Sequence, residues 1–209
     1  MKEISIFIFK VISRGVYEIV VLISKLYNYF SVYTNRIKHG DNFRINGFVR
    51  FIVNKNGVVQ IGDNFRLNSG SLFNPIGRNQ RSLFVVTKNA QLKVGNNVGM
   101  SSVAIVCHLQ ITIGNNIKIG GNTVFYDTDF HALNYIERTS SPELKKNVKV
   151  RPVYIHDNVF IGGHSLILKG TVIGKNSIIG AGSVVSGKIP PNEVWAGNPA
   201  KFIKRIDAE

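Results

Sequence analysis

The segment Asp127-Thr128-Asp129-Phe130-His131 places an imidazole two and four residues from carboxylates. An imidazole ionises near neutrality, so it can take a proton from a weakly acidic group as a bond forms. A neighbouring carboxylate can hold the ring in the useful tautomer. The same aspartates are equally suited to capping a turn, and a lone histidine in a polar loop is commonly only a loop residue. Arg138, seven residues on, reads first as a salt bridge tying the segment down. The other histidines, His39, His108, His156 and His164, lack the close pairing of a three-histidine zinc site. The single cysteine, Cys107, can form neither an intrachain disulfide nor a cysteine-based metal site. No metal is expected, and a reducing cytoplasm is the natural setting.

These residues belong to a chain of 209 with 44% apolar content, enough for one domain and an appendage. With 26 Lys and Arg against 12 Asp and Glu, the formal charge of +14 favours anionic partners: phosphates or an acidic membrane face. Neither a recognition-helix pattern nor aromatics regularly interleaved with basic residues is present, so nucleic acid is not expected. Residues 4–33 are strongly apolar, yet Lys10, Arg14, Glu18 and Lys25 interrupt them before any run reaches the roughly 20 residues that span a bilayer. Those charges share one face of a helix, leaving Ile, Phe, Val and Leu on the other. Residues 1–38 therefore read as an amphipathic helical segment, with no cleavage site of a secretory signal behind it. Such a segment either lies on the cytoplasmic face of the membrane or packs on protein, capping the open end of the domain.

The element that must position His131 is written in a repeat. Gly40-Asp41-Asn42, Gly62-Asp63-Asn64, Gly95-Asn96-Asn97, Gly114-Asn115-Asn116, His156-Asp157-Asn158 and Gly174-Lys175-Asn176 are copies of one signature. Between the last two copies Ile155, Ile161, Ile167, Ile173, Ile179 and Val185 fall every six residues. That beat fits neither a helix nor an ordinary strand. It fits a coil of three short strands, with one aliphatic side chain per hexapeptide pointing inward and Gly, Asn or Asp at the corners. Thr123, Ser165, Thr171, Ser177 and Ser183 fit where the prism is tight. His156 to Gly174 is 18 residues, one full coil, whereas Gly114 to His156 is 42. The excess of 24 residues is an insertion near 126–150. It holds His131, ends in the basic run Lys145, Lys146 and Lys149, and is the kind of excursion that carries function.

Taken with Ile161-Gly162-Gly163-His164-Ser165, Ile179-Gly180-Ala181-Gly182-Ser183, Ile189-Pro190-Pro191 and Ala196-Gly197-Asn198-Pro199-Ala200-Lys201, the repeats resemble the hexapeptide-repeat acyltransferases. Within them the chain is similar to the maltose, galactoside and capsular-polysaccharide O-acetyltransferases. The match is good over residues 90–206 and looser over 39–90. The resemblance implies an all-β fold: a left-handed parallel β-helix at 39–190, with a tail at 191–209 ending in a short helix. It also implies a homotrimer with active sites between subunits, acetyl-CoA as donor and a sugar or glycan hydroxyl as acceptor. On it His131 is the general base, with Asp127, Asp129 and Arg138 orienting it or stabilising the loop. Gly163 supplies a backbone N–H to the thioester oxygen, Ala181 and Ser186 line the pantetheine path, and Lys201 and Lys204 hold the nucleotide end. Two departures stand out. Gly187 followed by Lys188 replaces the lysine usual directly after the Ser186 position. Lys201 and Lys204 replace arginines, giving point charges for bidentate forks.

Carbonic anhydrases also use this coil, but their zinc histidines have no counterpart in the spacing here. An amino-sugar N-acyltransferase, a donor with a longer acyl chain and a non-catalytic trimeric scaffold are the readings that remain beside O-acetyl transfer.

Overall fold

The computed structural model describes residues 2–76 and 79–207. Helix α1 (Lys2–Thr34) leads into a parallel coil whose strands stack, turn over turn, into three faces. Among the described residues the first face runs from Lys38–His39 to Lys188–Ile189 in seven strands. The second begins at Arg44–Asn46 and ends at Glu193–Ala196, and the third extends from Val49–Val53 to Val184–Val185 in six. All of these strands pair in parallel, coil upon coil.

Register explains why one residue in six must be aliphatic. Ile155 sits beneath Ile173, Ile161 beneath Ile179 and Ile167 beneath Val185. These six side chains are at most 2% exposed, so each face contributes an inward column to a continuous apolar axis. Thr123, Ser165, Thr171 and Ser183 are buried beside that axis. Each hydroxyl donates back to the carbonyl three residues before it, at 2.6–2.8 Å, so a polar group enters the core already satisfied.

The corner after the first face is built by asparagine. Asn42, Asn64, Asn97, Asn116, Asn158, Asn176 and Asn192 all take φ between 53° and 63°, a left-handed conformation that asparagine tolerates better than most residues. The Nδ2 of each of the first six donates to the Oδ1 of the asparagine one coil on, at 2.7–3.0 Å throughout. Alongside runs a second ladder, in which the amides of Asp41, Asp63, Asn96 and Asn115 donate to the Asx side chain of the next coil at 2.7–2.8 Å. A Cβ at Gly114 would meet Asp157 and the backbone of the next coil, which is why glycine precedes the Asx pair there.

The regular path is left between Asn68 and Ser82, and again between Tyr126 and Val153. The second excursion carries helix α2 (Tyr135–Thr139).

The short helix expected at the C-terminus is absent among the described residues. Lys201–Arg205 is a strand that turns back antiparallel on Glu193–Ala196 and extends the second face to eight strands. The reason lies in a turn at Gly197, whose φ of 105° is open to glycine. The Ala200 amide donates to the Val184 carbonyl at 2.9 Å, fixing the return path, and Phe202 packs edge-on against Trp195.

Candidate active site

His131 is carried on a stalk. The Arg151 amide donates to the Asp127 carbonyl at 2.9 Å, the Asp129 amide to the Lys149 carbonyl at 3.1 Å, and Thr128 bridges Val150 antiparallel. Asp127 anchors the stalk to the coil below. Its fully buried carboxylate accepts the amides of His108, Leu109 and Gln110 at 2.7–2.9 Å. Asp129 is held by a close ion pair with Lys169 of the coil above. Beyond the stalk, Phe130 takes φ 64° and sets its ring edge-on to Tyr126 at 5.0 Å. The His131 amide then donates to the Asp129 carbonyl at 2.8 Å, so the chain turns sharply and the imidazole stands clear, with its side chain 61% exposed.

The ring's partner is Glu143. Its carboxylate oxygens lie 3.0 and 3.1 Å from Nδ1, and its side chain is 19% exposed. A carboxylate accepts only, so Nδ1 is the donor of this pair, and among the described residues Nε2 has no hydrogen-bond partner. Of the two roles expected for Asp127 and Asp129, orienting the imidazole or stabilising the loop, the contacts are those of the second: among the described residues both are committed to backbone amides and to Lys169. Arg138 makes no salt bridge there. Its guanidinium donates to the carbonyls of Ala132 and Leu133 at 2.9 and 3.0 Å, closing the turn behind His131. Asn134 caps α2 by accepting the Ile136 amide at 2.9 Å, and the Leu144 amide donates to the Glu137 carbonyl at 3.2 Å. Those bonds fold the return leg so that Glu143 arrives beside a histidine twelve residues earlier. The only sequence signal for it was an acidic residue on the returning half of an excursion that has to come back to the coil.

The remaining candidates divide between two edges of the coil. Gly163 and Ala181 stack on the corner after the second face, where the Gly182 amide donates to the Gly163 carbonyl at 2.9 Å. Here the Asx ladder has no counterpart. Among the described residues the amides of Gly163 and Ala181 find no acceptor in the protein, whereas the amides on the asparagine corner are satisfied by the next coil. The stack therefore offers backbone donors, with no side chain on Gly163 and one methyl on Ala181. A Cβ at Gly163 would stand 3.0 Å from the Gly121 carbonyl oxygen. Ser186, Gly187 and Lys188 sit exposed on the opposite corner, one coil past Lys169, where the Val172 amide donates to the Gly187 carbonyl at 2.9 Å. Lys201 and Lys204 lie exposed on the terminal hairpin.

His131 leaves the coil from that same opposite corner. Gly121 and Asp127 are the equivalents of Gly163 and Lys169 one coil down, six residues apart along the third face; at about 3.3 Å per residue they are roughly 20 Å apart. One chain thus presents its base at one edge of the third face and its unsatisfied amides at the other. Cys107 is no alternative nucleophile: burial, reinforced by the charge of Asp127, pushes its thiol far above the usual range.

The profile of the bacterial transferase hexapeptide family (six repeats) matches residues 152–187. The chain is 30% identical over 171 residues to "Putative lipopolysaccharide biosynthesis O-acetyl transferase WbbJ" of Escherichia coli K12, covering 80% of this chain and 82% of that one. It is 37% identical over 121 residues to galactoside O-acetyltransferase of Escherichia coli K12, with 56% of each chain covered. It spans about half the length of several other curated relatives, among them 45% of an acetyltransferase-named protein of Schizosaccharomyces pombe. Among solved structures, a galactoside acetyltransferase in complex with coenzyme A superposes with a TM-score of 0.51 at 29% identity, covering 81% of this chain and 65% of that one. The N-acyltransferase AntD of Bacillus cereus shares the fold, with a TM-score of 0.60 at 24% identity, covering 81% of this chain and 84% of that one.

Proposed function

The chain belongs to the hexapeptide-repeat acyltransferases, whose coil is the left-handed β-helix, and on that premise we propose that it moves an acetyl group from acetyl-CoA to a hydroxyl of a sugar or surface glycan. The observation that carries this reading is His131, held at Nδ1 by Glu143 and open at Nε2.

A sugar hydroxyl is far too weak an acid to attack a thioester unaided, so its proton has to leave as the new C–O bond forms. Nε2 of His131 accepts that proton, and Glu143 stabilises the imidazolium that results. The oxygen of the thioester carbonyl gains charge in the same step, and the free amide of Gly163 is the donor suited to face it. A donor of that kind is commonly worth about 10²–10³ in rate. Collapse expels the CoA thiolate, which takes the proton back from His131. The names of two relatives, an O-acetyl transferase of lipopolysaccharide biosynthesis and a galactoside O-acetyltransferase, support a sugar hydroxyl over an amine.

The roughly 20 Å between the base's corner and the amide corner supports a homotrimer in which one subunit's His131 edge faces the next subunit's Gly163–Ala181 edge. In that groove Ser186 and Lys188 from one wall, and Lys201 and Lys204 from the terminal hairpin, are the cations and hydroxyl available to the CoA phosphates and pantetheine.

The test is thiol release from acetyl-CoA across a panel of sugars and amino sugars, with product analysis. O-acetyl ester is expected, and His131→Ala should lower turnover by at least about 10²-fold with CoA binding nearly unchanged. Undiminished turnover of that variant, or an amide product only, overturns the proposal.

A further inference from the structure

Helix α1 docks through a mixed face, with Ser24 and Asn28 buried and Val20, Val21, Ser31 and Val32 half-buried. Ser24 is 1% and Asn28 5% exposed. Asn28 grips the first coil from both ends of its amide: Nδ2 donates to the Gly47 carbonyl at 2.8 Å, and Oδ1 accepts the Val49 amide at 3.2 Å. One turn and three residues on, Asn35 accepts the Val53 amide at 2.9 Å. At 100° per residue Ser24, Asn28 and Asn35 fall within about 40° of one another. Ile4, Ile8, Ile12, Ile19, Leu26 and Phe30 lie diametrically opposite, and each is 50–65% exposed. Their apolar sector covers roughly 160° of the helix, runs its whole length and contains no charged residue. Val32, Tyr17 and Tyr27 add apolar contacts on the docked side, but the broad apolar sector itself is turned away from the coil.

That orientation says what the uncovered side meets. A sector this broad exceeds the narrow seam that pairs one helix with another, and matches a helix lying half-sunk in a lipid interface. Lys25, Arg14 and the acidic Glu18 border it along one side, with Lys10 and Glu3 behind them, and Lys2 lies along the other; the flanks are net positive, in a chain of formal charge +14, where anionic headgroups would stand. Tyr29 and Tyr33 edge its C-terminal end, amphipathic rings of the kind that settle at headgroup depth. No helix among the described residues is long and apolar enough to cross the bilayer. We propose that α1 lies in an anionic lipid surface, apolar sector down, with Asn28 and Asn35 fastening the catalytic coil to its upper side.

The experiment is co-sedimentation of the full chain with vesicles of phosphatidylcholine alone and of phosphatidylcholine mixed with phosphatidylglycerol. Binding should be at least about tenfold tighter to the anionic vesicles. The double variant Ile12→Glu with Ile19→Glu, both positions more than half exposed, should lose that binding at least tenfold and keep the thermal transition of the parent. Light scattering supplies the second arm. The proposal is overturned if the parent ignores both vesicle types, or if the variant binds them equally well. It is also overturned if the variant loses oligomer mass and vesicles capture neither protein, because the apolar sector then joins copies of the chain.

Discussion

Replacing Glu143 by Gln tests the proposed base most directly, because the amide keeps the shape of the carboxylate and removes its charge. In the ground state it can still accept from Nδ1, so the imidazole stays in place. The loss is felt when the ring becomes an imidazolium. Two unit charges about 4 Å apart interact by about 4 kcal/mol at an effective dielectric of 20, and by about 1 kcal/mol in water. With oxygens 3.0 and 3.1 Å from Nδ1 but 61% of the histidine side chain exposed, the pair stands toward the aqueous end of that range. A cost of about 1–2 kcal/mol in the transition state follows, which is about 5- to 30-fold in kcat. The assay is steady-state thiol release at saturating acetyl-CoA, with KM for acetyl-CoA expected to hold. Wild-type kcat in Glu143→Gln, or an equal loss in Asp129→Asn, would refute the assignment of Glu143 as the partner of His131.

The anchor below the loop should behave as structure. Asp127→Asn turns part of a threefold amide acceptor into a donor in a fully buried position and should lower unfolding free energy by about 2–4 kcal/mol, read by denaturant titration. On the asparagine corner, Asn97→Gly should cost less than Asn97→Ala, by about 1 kcal/mol, because glycine loses the rung but accepts φ 58°. Equal Tm values would show that the backbone conformation carries no cost there. Since burial and Asp127 hold the Cys107 thiol protonated well above its ordinary 9.0, a thiol reagent at pH 8 should leave the native chain unlabelled and label it on unfolding. The same shift removes stability as pH rises past about 9, where the unfolded chain gives up a thiol proton that the folded chain keeps.

The coil was legible because its periodicity is enforced at every sixth residue by an axis that takes one large aliphatic side chain per hexapeptide, with a smaller residue buried beside it. The insertion point at 126–150 followed from counting residues between signatures. Glu143 was not legible: its meeting with His131 depends on how α2 and the Glu137 carbonyl fold the returning leg, and no period records that. For the N-terminal helix, the apolar pattern identified two sides but could not say which one would dock, since Asn28 and Asn35 bind backbone groups of a coil that hydropathy does not describe. The terminal hairpin was not legible because the ten residues after Pro199 carry too little pattern to separate a strand from a helix, and Trp195 together with the Val184 carbonyl decides the matter.

The asparagine ladder keeps its rungs at 2.7–3.0 Å although the chain between successive rungs ranges from 16 to 42 residues. Alignment of one coil on the next is thus enforced locally, by an amide reaching its copy, and owes nothing to how far the chain has wandered in between. Insertion, deletion or wholesale exchange of an excursion leaves every rung where it was. The scaffold can therefore inherit a new excursion in one genetic step, and the Gly163–Ala181 corner need not be rebuilt to receive it.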